Sequence, residues 1–71
     1  MNHITARLFV EFVDNMTAGD EFTITDFKDY VNMRAPRHVP STGEVVHLTA
    51  INKNVERIDK TGRWAVYKVV A

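Results

Sequence analysis

Apolar side chains recur at helical spacing at the start of the chain. The stripe consists of Ile4, Leu8, Phe12 and Met16, widened by Phe9 and Val13. This spacing predicts a first amphipathic helix over residues 3–16. The helix is expected to stop in the turn 17–20, where Gly19 can take the left-handed conformation that ends many helices.

Polar and apolar residues then alternate over residues 21–24, as expected for a very short strand. Thr25 suits the N-cap of a second helix, with Asp26 in the first turn, where the helix dipole favours an acid. This helix is expected over residues 26–34, because Pro36 disfavours helical geometry in the residue before it.

A loop stiffened by two prolines, residues 35–40, leads into a third predicted helix over residues 41–52. Ser41 and Glu44 have the spacing of a capping box at its start, and Asn54 can take the left-handed conformation after its end. The buried side is expected to consist of Val45, Leu48 and Ile51, continued by Val55. The outward side is expected to consist of Thr42, Gly43, Val46, His47, Ala50 and Lys53.

The last segment, residues 55–70, is predicted to be a β-hairpin that turns at residues 59–62, where Gly62 can supply a positive φ. We expect Tyr67 on the inner face and Trp64 near the flank of the hairpin. The predicted fold is therefore α+β, with three helices and a small three-stranded antiparallel sheet. The element order is helix, strand, helix, helix, strand, strand.

Composition limits the possible functions. A chain of 71 residues forms one domain at most, here residues 1–71, and no cysteine is present for a disulfide or a thiolate metal site. The sequence has no signal-peptide pattern and no apolar run of the roughly 20 residues that would cross a bilayer, so we expect a cytoplasmic protein without membrane contact. The glycines are scattered and the three histidines lack metal-site spacing, which predicts no enzyme activity, no metal and no cofactor.

Charge is distributed unevenly although the formal net charge is zero. Residues 1–30 contain six acidic and two basic side chains, whereas residues 31–71 contain seven basic and three acidic ones. Such asymmetry is consistent with one surface that meets a polyanion. The alternative is that the two halves neutralise each other across the fold.

The order of elements resembles the winged helix-turn-helix family of DNA-binding domains. The resemblance rests on the run 21–27, the capped helix with its Val45, Leu48 and Ile51 stripe, and the returning strand from Gly62 to Tyr67. In that family the third helix enters the major groove and the hairpin, called the wing, contacts the flanking DNA. One departure is the connection between the second and third helices, which holds two prolines and exceeds the usual three or four residues.

The resemblance implies binding of double-stranded DNA by a small transcription regulator or accessory DNA-binding factor. It implies base contacts for Thr42, Val46 and His47, and backbone contacts for Arg37, His38 and Lys53. The start of the third helix, at Ser41, can attract phosphate through its backbone amides. The predicted wing contacts are Arg57, Lys60, Thr61 and Arg63.

Alternatives to these assignments stay open at the level of sequence. The outward helix face is poor in strong base-reading donors, which also fits a winged-helix module that binds a protein partner through Val46, Ala50 and Trp64. If DNA is the ligand, the basic side chains of the second half should share one surface with the third helix, whereas acids that interrupt this surface would favour the protein-interaction alternative. The first helix has more apolar surface than it needs, so a homodimer is expected through Phe9, Val13 and Met16; the alternative is that Phe9 covers the core of the monomer.

Overall fold

Three helices and a three-stranded antiparallel sheet form the α+β fold that the sequence predicts, in a winged-helix-like layout. The computed structural model describes residues 3–59 and 65–70. A short 3-10 turn stands between the second and third helices. The elements are α1 (His3–Asp14), β1 (Glu21–Thr23), α2 (Ile24–Arg34), the 3-10 turn (Pro36–His38), α3 (Thr42–Ile51), β2 (Val55–Asp59) and β3 (Ala65–Val69).

The sheet has the order β1-β3-β2, so the last strand lies in the centre. Tyr67 stands opposite Phe22 on one side and opposite Arg57 on the other, which places these three side chains on the same face of the sheet. Beyond β1, Gly19 donates its backbone N–H to the Val69 carbonyl at 2.7 Å. This bond ties the turn between α1 and β1 to the last strand.

An aromatic cluster fills the space between the helices and the inner face of the sheet. All four phenylalanines are buried, and Tyr67 is 1% exposed. The rings of Phe9 and Phe27 meet edge to face at 5.0 Å, and Phe22 stacks on Tyr67 at 5.7 Å. The inner position predicted for Tyr67 is confirmed. Ring pairs in these geometries add about 0.5–1.5 kcal/mol each beyond the burial of their area.

The buried side of α1 differs from the predicted stripe. Ile4 is 42% exposed, whereas Thr5 is 1% exposed and donates its hydroxyl hydrogen to the His38 carbonyl at 2.9 Å. Phe9 and Val13 are buried in the core of the single chain, so they are not available for the dimer contact expected from the sequence. Met16, which follows the end of the helix, packs half-buried against the core.

The turn after α1 confirms the conformation predicted for Gly19. Its φ is +100°, a region that glycine occupies without the steric cost that a Cβ brings. Asp20 closes this turn by accepting the Thr17 backbone N–H at 2.9 Å. The helix itself ends at Asp14, two residues before the predicted boundary.

The start of α2 corrects the predicted cap. Thr23, the last residue of β1, is the N-cap, and Thr25 lies inside the helix. The Thr23 side chain accepts from the Asp26 backbone N–H at 3.3 Å, while Asp26 accepts from the Thr23 backbone N–H at 2.8 Å. This reciprocal capping box begins the helix two residues earlier than predicted. The helix ends at Arg34, before Pro36, as predicted.

The third helix confirms the predicted cap at Ser41, whose side chain accepts from the Glu44 backbone N–H at 3.3 Å. Two predictions at its other end are wrong. Ile51 is 64% exposed, because the helix ends there and its side chain projects beyond the core. The left-handed end predicted at Asn54 is also absent from the described residues, since Asn52 instead caps the helix and accepts the Asn54 backbone N–H at 2.9 Å.

The hairpin strands β2 and β3 pair as predicted. The first residue of the predicted turn, Asp59, is instead the last residue of β2 and pairs with Ala65. The rest of the turn, with Gly62, and the predicted flank position of Trp64 lie outside the described residues. Within the described part of the chain, no helix has the length and apolar character needed to cross a membrane, since α1, the longest, has 12 residues.

Candidate nucleic-acid interface

The outward face of α3 is exposed as the sequence predicts. Thr42, His47 and Ala50 are exposed, and Val46 is 39% exposed. Gly43 has no heavy atom within 4 Å of the position where a Cβ would stand, so the backbone is open at this point. None of these five residues is acidic.

A basic side chain stands at the amino-terminal end of this face. Lys28, on α2, donates from its Nζ to the Thr42 Oγ1 at 2.9 Å. An ammonium group has three donors and a hydroxyl can accept and donate at once, so both groups retain a donor for an anion. Sequence reasoning missed Lys28, because it lies on another helix and 14 residues from Thr42.

A cleft of about 370 Å³ opens at the other end of the face, between α3 and β2. Its lining consists of Val46, Thr49, Ala50, Val55, Glu56, Arg57 and Tyr67. Arg57 therefore shares a surface with the exposed apolar side chains of α3, as the DNA interpretation requires. Glu56 is also in the lining, so this end carries an acid beside the base.

Lys53 is exposed in the turn that follows α3. It extends the basic character of the carboxyl-terminal end of the helix, near the start of β2. The contact with the DNA backbone predicted for Lys53 stays a prediction.

The 3-10 turn holds the two loop residues predicted to contact the DNA backbone. Arg37 is exposed, whereas His38 is half-buried and its carbonyl accepts from Thr5 of α1. The turn is thus fastened to α1 through His38, and Arg37 is the side chain of the two that remains available at the surface.

Three predicted wing contacts, Lys60, Thr61 and Arg63, lie outside the described residues. The described part of the hairpin shows that Lys68 stands opposite Glu21 on β1 and opposite Glu56 on β2. Acids on both sides of Lys68 lower the positive potential there. The outer face of the sheet is therefore a weaker phosphate site than the α3 face.

Comparisons with protein-family models, with curated proteins and with solved structures found no match. The functional argument consequently rests on the chemistry of the described side chains. Among residues 3–59 and 65–70, no group of three histidine, aspartate or glutamate side chains is placed to hold a metal ion. The arrangement around α3 combines basic side chains at both ends with small apolar and hydroxyl groups between them, a combination suited to contact with a polyanion.

Proposed function

We propose that the protein binds double-stranded DNA, with α3 in the major groove, as a small cytoplasmic transcription regulator or accessory factor of the winged helix-turn-helix type. The observation that supports this most is the placement of Lys28 and Arg57 at opposite ends of the exposed face of α3, with one acid, Glu56, beside Arg57. Neither residue is adjacent to that face in sequence, and the fold brings both to it.

The dimensions of α3 are compatible with this role. Ten helical residues span about 15 Å, and the major groove of B-DNA is about 12 Å wide. A helix lying in the groove would therefore hold its terminal cations close to the two flanking phosphate backbones. Between them, the methyl groups of Val46 and Ala50 can contact thymine methyls, and Thr42 can donate to a base or phosphate.

Phosphate contacts are expected to supply most of the affinity. The face offers no asparagine, glutamine or arginine for bidentate pairing with a base edge, so discrimination between sequences should be modest. Binding should consequently depend strongly on salt concentration.

The test is fluorescence anisotropy with a mixed pool of duplex DNA at about 50 and about 200 mM salt, the interval over which phosphate contacts are revealed. Lys28→Ala and Arg57→Ala should each weaken binding to all sequences and reduce the slope of log K against log salt by about 0.9. Arg7→Ala is the matched control, because Arg7 is a base on α1 whose nearest ionic partner is Glu11, on the same helix.

No binding at the lower salt concentration by folded protein would refute the proposal. If all three alanine variants weakened DNA binding equally, the α3 interface would be refuted. The remaining interpretation would be a general attraction of the protein to a polyanion.

A second candidate function is docking to a protein partner. It is favoured by a second groove of about 180 Å³ between α1 and α3, beside which Val10 is 51% and Ile51 is 64% exposed. The protein contact predicted from the sequence used Val46, Ala50 and Trp64 instead; Val46 and Ala50 line the separate cleft at β2, and Trp64 lies outside the described residues. The replacement Ile51→Ser separates the two functions, because it should weaken an apolar contact with a protein and, as it adds no charge, leave the salt dependence of DNA binding unchanged.

A homodimer also remains a prediction. Because Phe9 and Val13 are buried, a dimer contact through α1 would have to use exposed side chains such as Val10. Sedimentation equilibrium of the wild type and of Val10→Glu tests this contact. A monomer at all concentrations would refute the dimer.

A further inference from the structure

Two exposed aliphatic side chains meet at the groove between α1 and α3. The groove has a volume of about 180 Å³, and its lining includes Ala6, Val10, Leu48 and Ile51. Val10 is 51% exposed and Ile51 is 64% exposed, whereas Leu48 belongs to the buried core. Small-molecule sites have volumes of about 300–1,000 Å³, so this groove is better suited to a side chain of a partner than to a small ligand.

Ile51 is both a wall of the groove and a projecting side chain. It is the last residue of α3, so no later helical turn covers it. The same surface therefore carries an exposed aliphatic side chain and, beside it, an apolar groove that can receive one. A two-fold contact between identical chains requires this combination, because each copy must supply both the projecting group and the surface that receives it.

The two edges of the groove carry opposite charges. On the α1 edge, Asp14 lies one turn beyond Val10 and so on the same side of the helix. On the α3 edge, Lys53 is exposed two residues beyond Ile51. Neither Asp14 nor Lys53 makes an ion pair within residues 3–59 and 65–70. A two-fold axis through the groove lays α1 of each copy against the α3 edge of the other, which brings the acidic edge to the basic edge.

The remaining charges do not oppose association of two copies. The formal net charge of the chain is zero, so there is no net repulsion between copies. Arg7 and Glu11, the other charged side chains of α1, lie 3.8 Å apart and neutralise each other. Asp14 is therefore the uncompensated charge of the α1 edge.

We propose that the protein forms a two-fold symmetric homodimer through this groove. Ile51 of each copy packs against Val10 of the other, and Asp14 faces Lys53 at both edges. A second copy of the chain is thus the partner for the docking function considered above, and the dimer does not rest on DNA binding.

The size of the groove predicts a weak dimer. The chain has 4814 Å² of accessible surface, and a standard specific interface takes about 800 Å² from each partner, roughly one-sixth of that total. The groove and its two edges cover only part of such an area. We therefore expect a dissociation constant of about 0.1 mM, typical of a transient contact.

The first experiment is sedimentation velocity of the protein without DNA, from about 10 µM to about 1 mM, which brackets the expected dissociation constant. Monomer and dimer should interconvert without larger species, because a two-fold contact is closed. Dilution of ¹⁵N-labelled protein over the same interval should shift the amide signals of the groove residues Ala6, Val10, Ile51 and Asn52.

Serine variants locate the contact. Ile51→Ser and Val10→Ser should each weaken dimerisation at least about tenfold, because each removes an apolar contact from both halves of a symmetric interface. Both positions are exposed, so the variants should remain folded. Met33→Ser is the matched control, since Met33 is 81% exposed and lies outside the lining of the groove, and it should dimerise as the wild type does.

Charge reversal tests the two-fold arrangement. Asp14→Lys and Lys53→Asp should each weaken dimerisation about threefold or more, because each sets like charges on facing edges. The double variant Asp14→Lys/Lys53→Asp should restore it. The matched control Asp29→Lys/Lys53→Asp has the same net charge, but Asp29 lies on α2 and outside the lining of the groove, so no recovery is expected.

A monomer at all concentrations would overturn the proposal and leave the groove to a different protein. Dimerisation that Ile51→Ser leaves unchanged, species larger than a dimer, or equal recovery in the two double variants would overturn it as well. A dimer that binds no duplex DNA would refute the proposed function and leave the dimer intact, whereas DNA binding by a protein that stays monomeric would refute the dimer alone.

Discussion

Removal of the Tyr67 hydroxyl should stabilise the protein. The ring of Tyr67 is 1% exposed and stacks on Phe22, so Tyr67→Phe keeps its packing. The hydroxyl alone is lost, and in the described structure it makes no hydrogen bond. A buried polar group without a partner costs about 1–3 kcal/mol of desolvation. We therefore expect the free energy of unfolding to rise by about 1 kcal/mol.

The magnitude is measurable in a domain of this size. A change of about 1 kcal/mol shifts Tm by roughly 4–8 °C in domains of 60–100 residues. Urea unfolding followed by circular dichroism should show a higher midpoint with an unchanged m-value, because the surface exposed on unfolding is nearly the same.

Tyr30→Phe is the matched control. Tyr30 is also in contact with the aromatic cluster, at 5.0 Å from Phe12, but it is only half-buried. Its hydroxyl can be hydrated, so the same chemical change should alter stability by less than about 0.5 kcal/mol. A loss of about 1 kcal/mol in Tyr67→Phe would refute the reasoning, since it would mean that the Tyr67 hydroxyl has a bonding partner in solution.

Two further predictions concern the caps and turns, and both are checked by urea unfolding. Thr23→Ala should lower the free energy of unfolding by about 1 kcal/mol because it removes a capping box. Thr25→Ala should be neutral or slightly stabilising, because Thr25 lies inside α2. Equal effects of the two variants would contradict the observed cap. Gly19→Ala should lower the free energy of unfolding by about 1–2 kcal/mol, because the φ of Gly19 is +100°. Gly43 lies in helical backbone with open space around it, so Gly43→Ala should raise the free energy of unfolding by about 0.5–1 kcal/mol. A stabilising Gly19→Ala would contradict the left-handed turn.

The elements of the fold were predictable because their patterns are local. The order of helices and strands follows from spacing along the chain, and the Ser41 cap and the Gly19 turn follow from single residues. The start of α2 was mistaken because Thr23 has two roles. Thr23 is both the last residue of β1 and the N-cap of α2, where its capping partner is Asp26. The alternating pattern of residues 21–24 assigned Thr23 to the strand alone, so the cap was placed at Thr25.

The buried side of α1 could not be deduced from hydrophobicity. Thr5 is buried in place of Ile4 because its hydroxyl reaches the His38 carbonyl, 33 residues away in sequence. Thr49 in α3 is buried for a related reason, since its hydroxyl bonds its own helix and so costs little to enclose. A polar residue becomes a core residue when a partner is present, and sequence spacing does not show that partner.

The candidate interface was predictable only in part, for a similar reason. The exposed face of α3 follows from helical periodicity, so Thr42, Val46 and His47 were found. Lys28 and the cleft at Arg57 arise from packing of α2 and β2 against α3, and no local pattern encodes either.

Different residues of α3 face the core and the solvent, so function can be tested separately from folding. Val45 and Leu48 face the core and are almost fully buried, whereas Val46 and Ala50 lie on the outer face. Substitutions at such exposed positions usually change stability by less than about 0.5 kcal/mol. A variant such as Val46→Ser that loses DNA binding at unchanged stability would therefore report on the interface itself. Substitution of Val45 would confound the two, because loss of a buried aliphatic side chain would unfold a domain with so small a core.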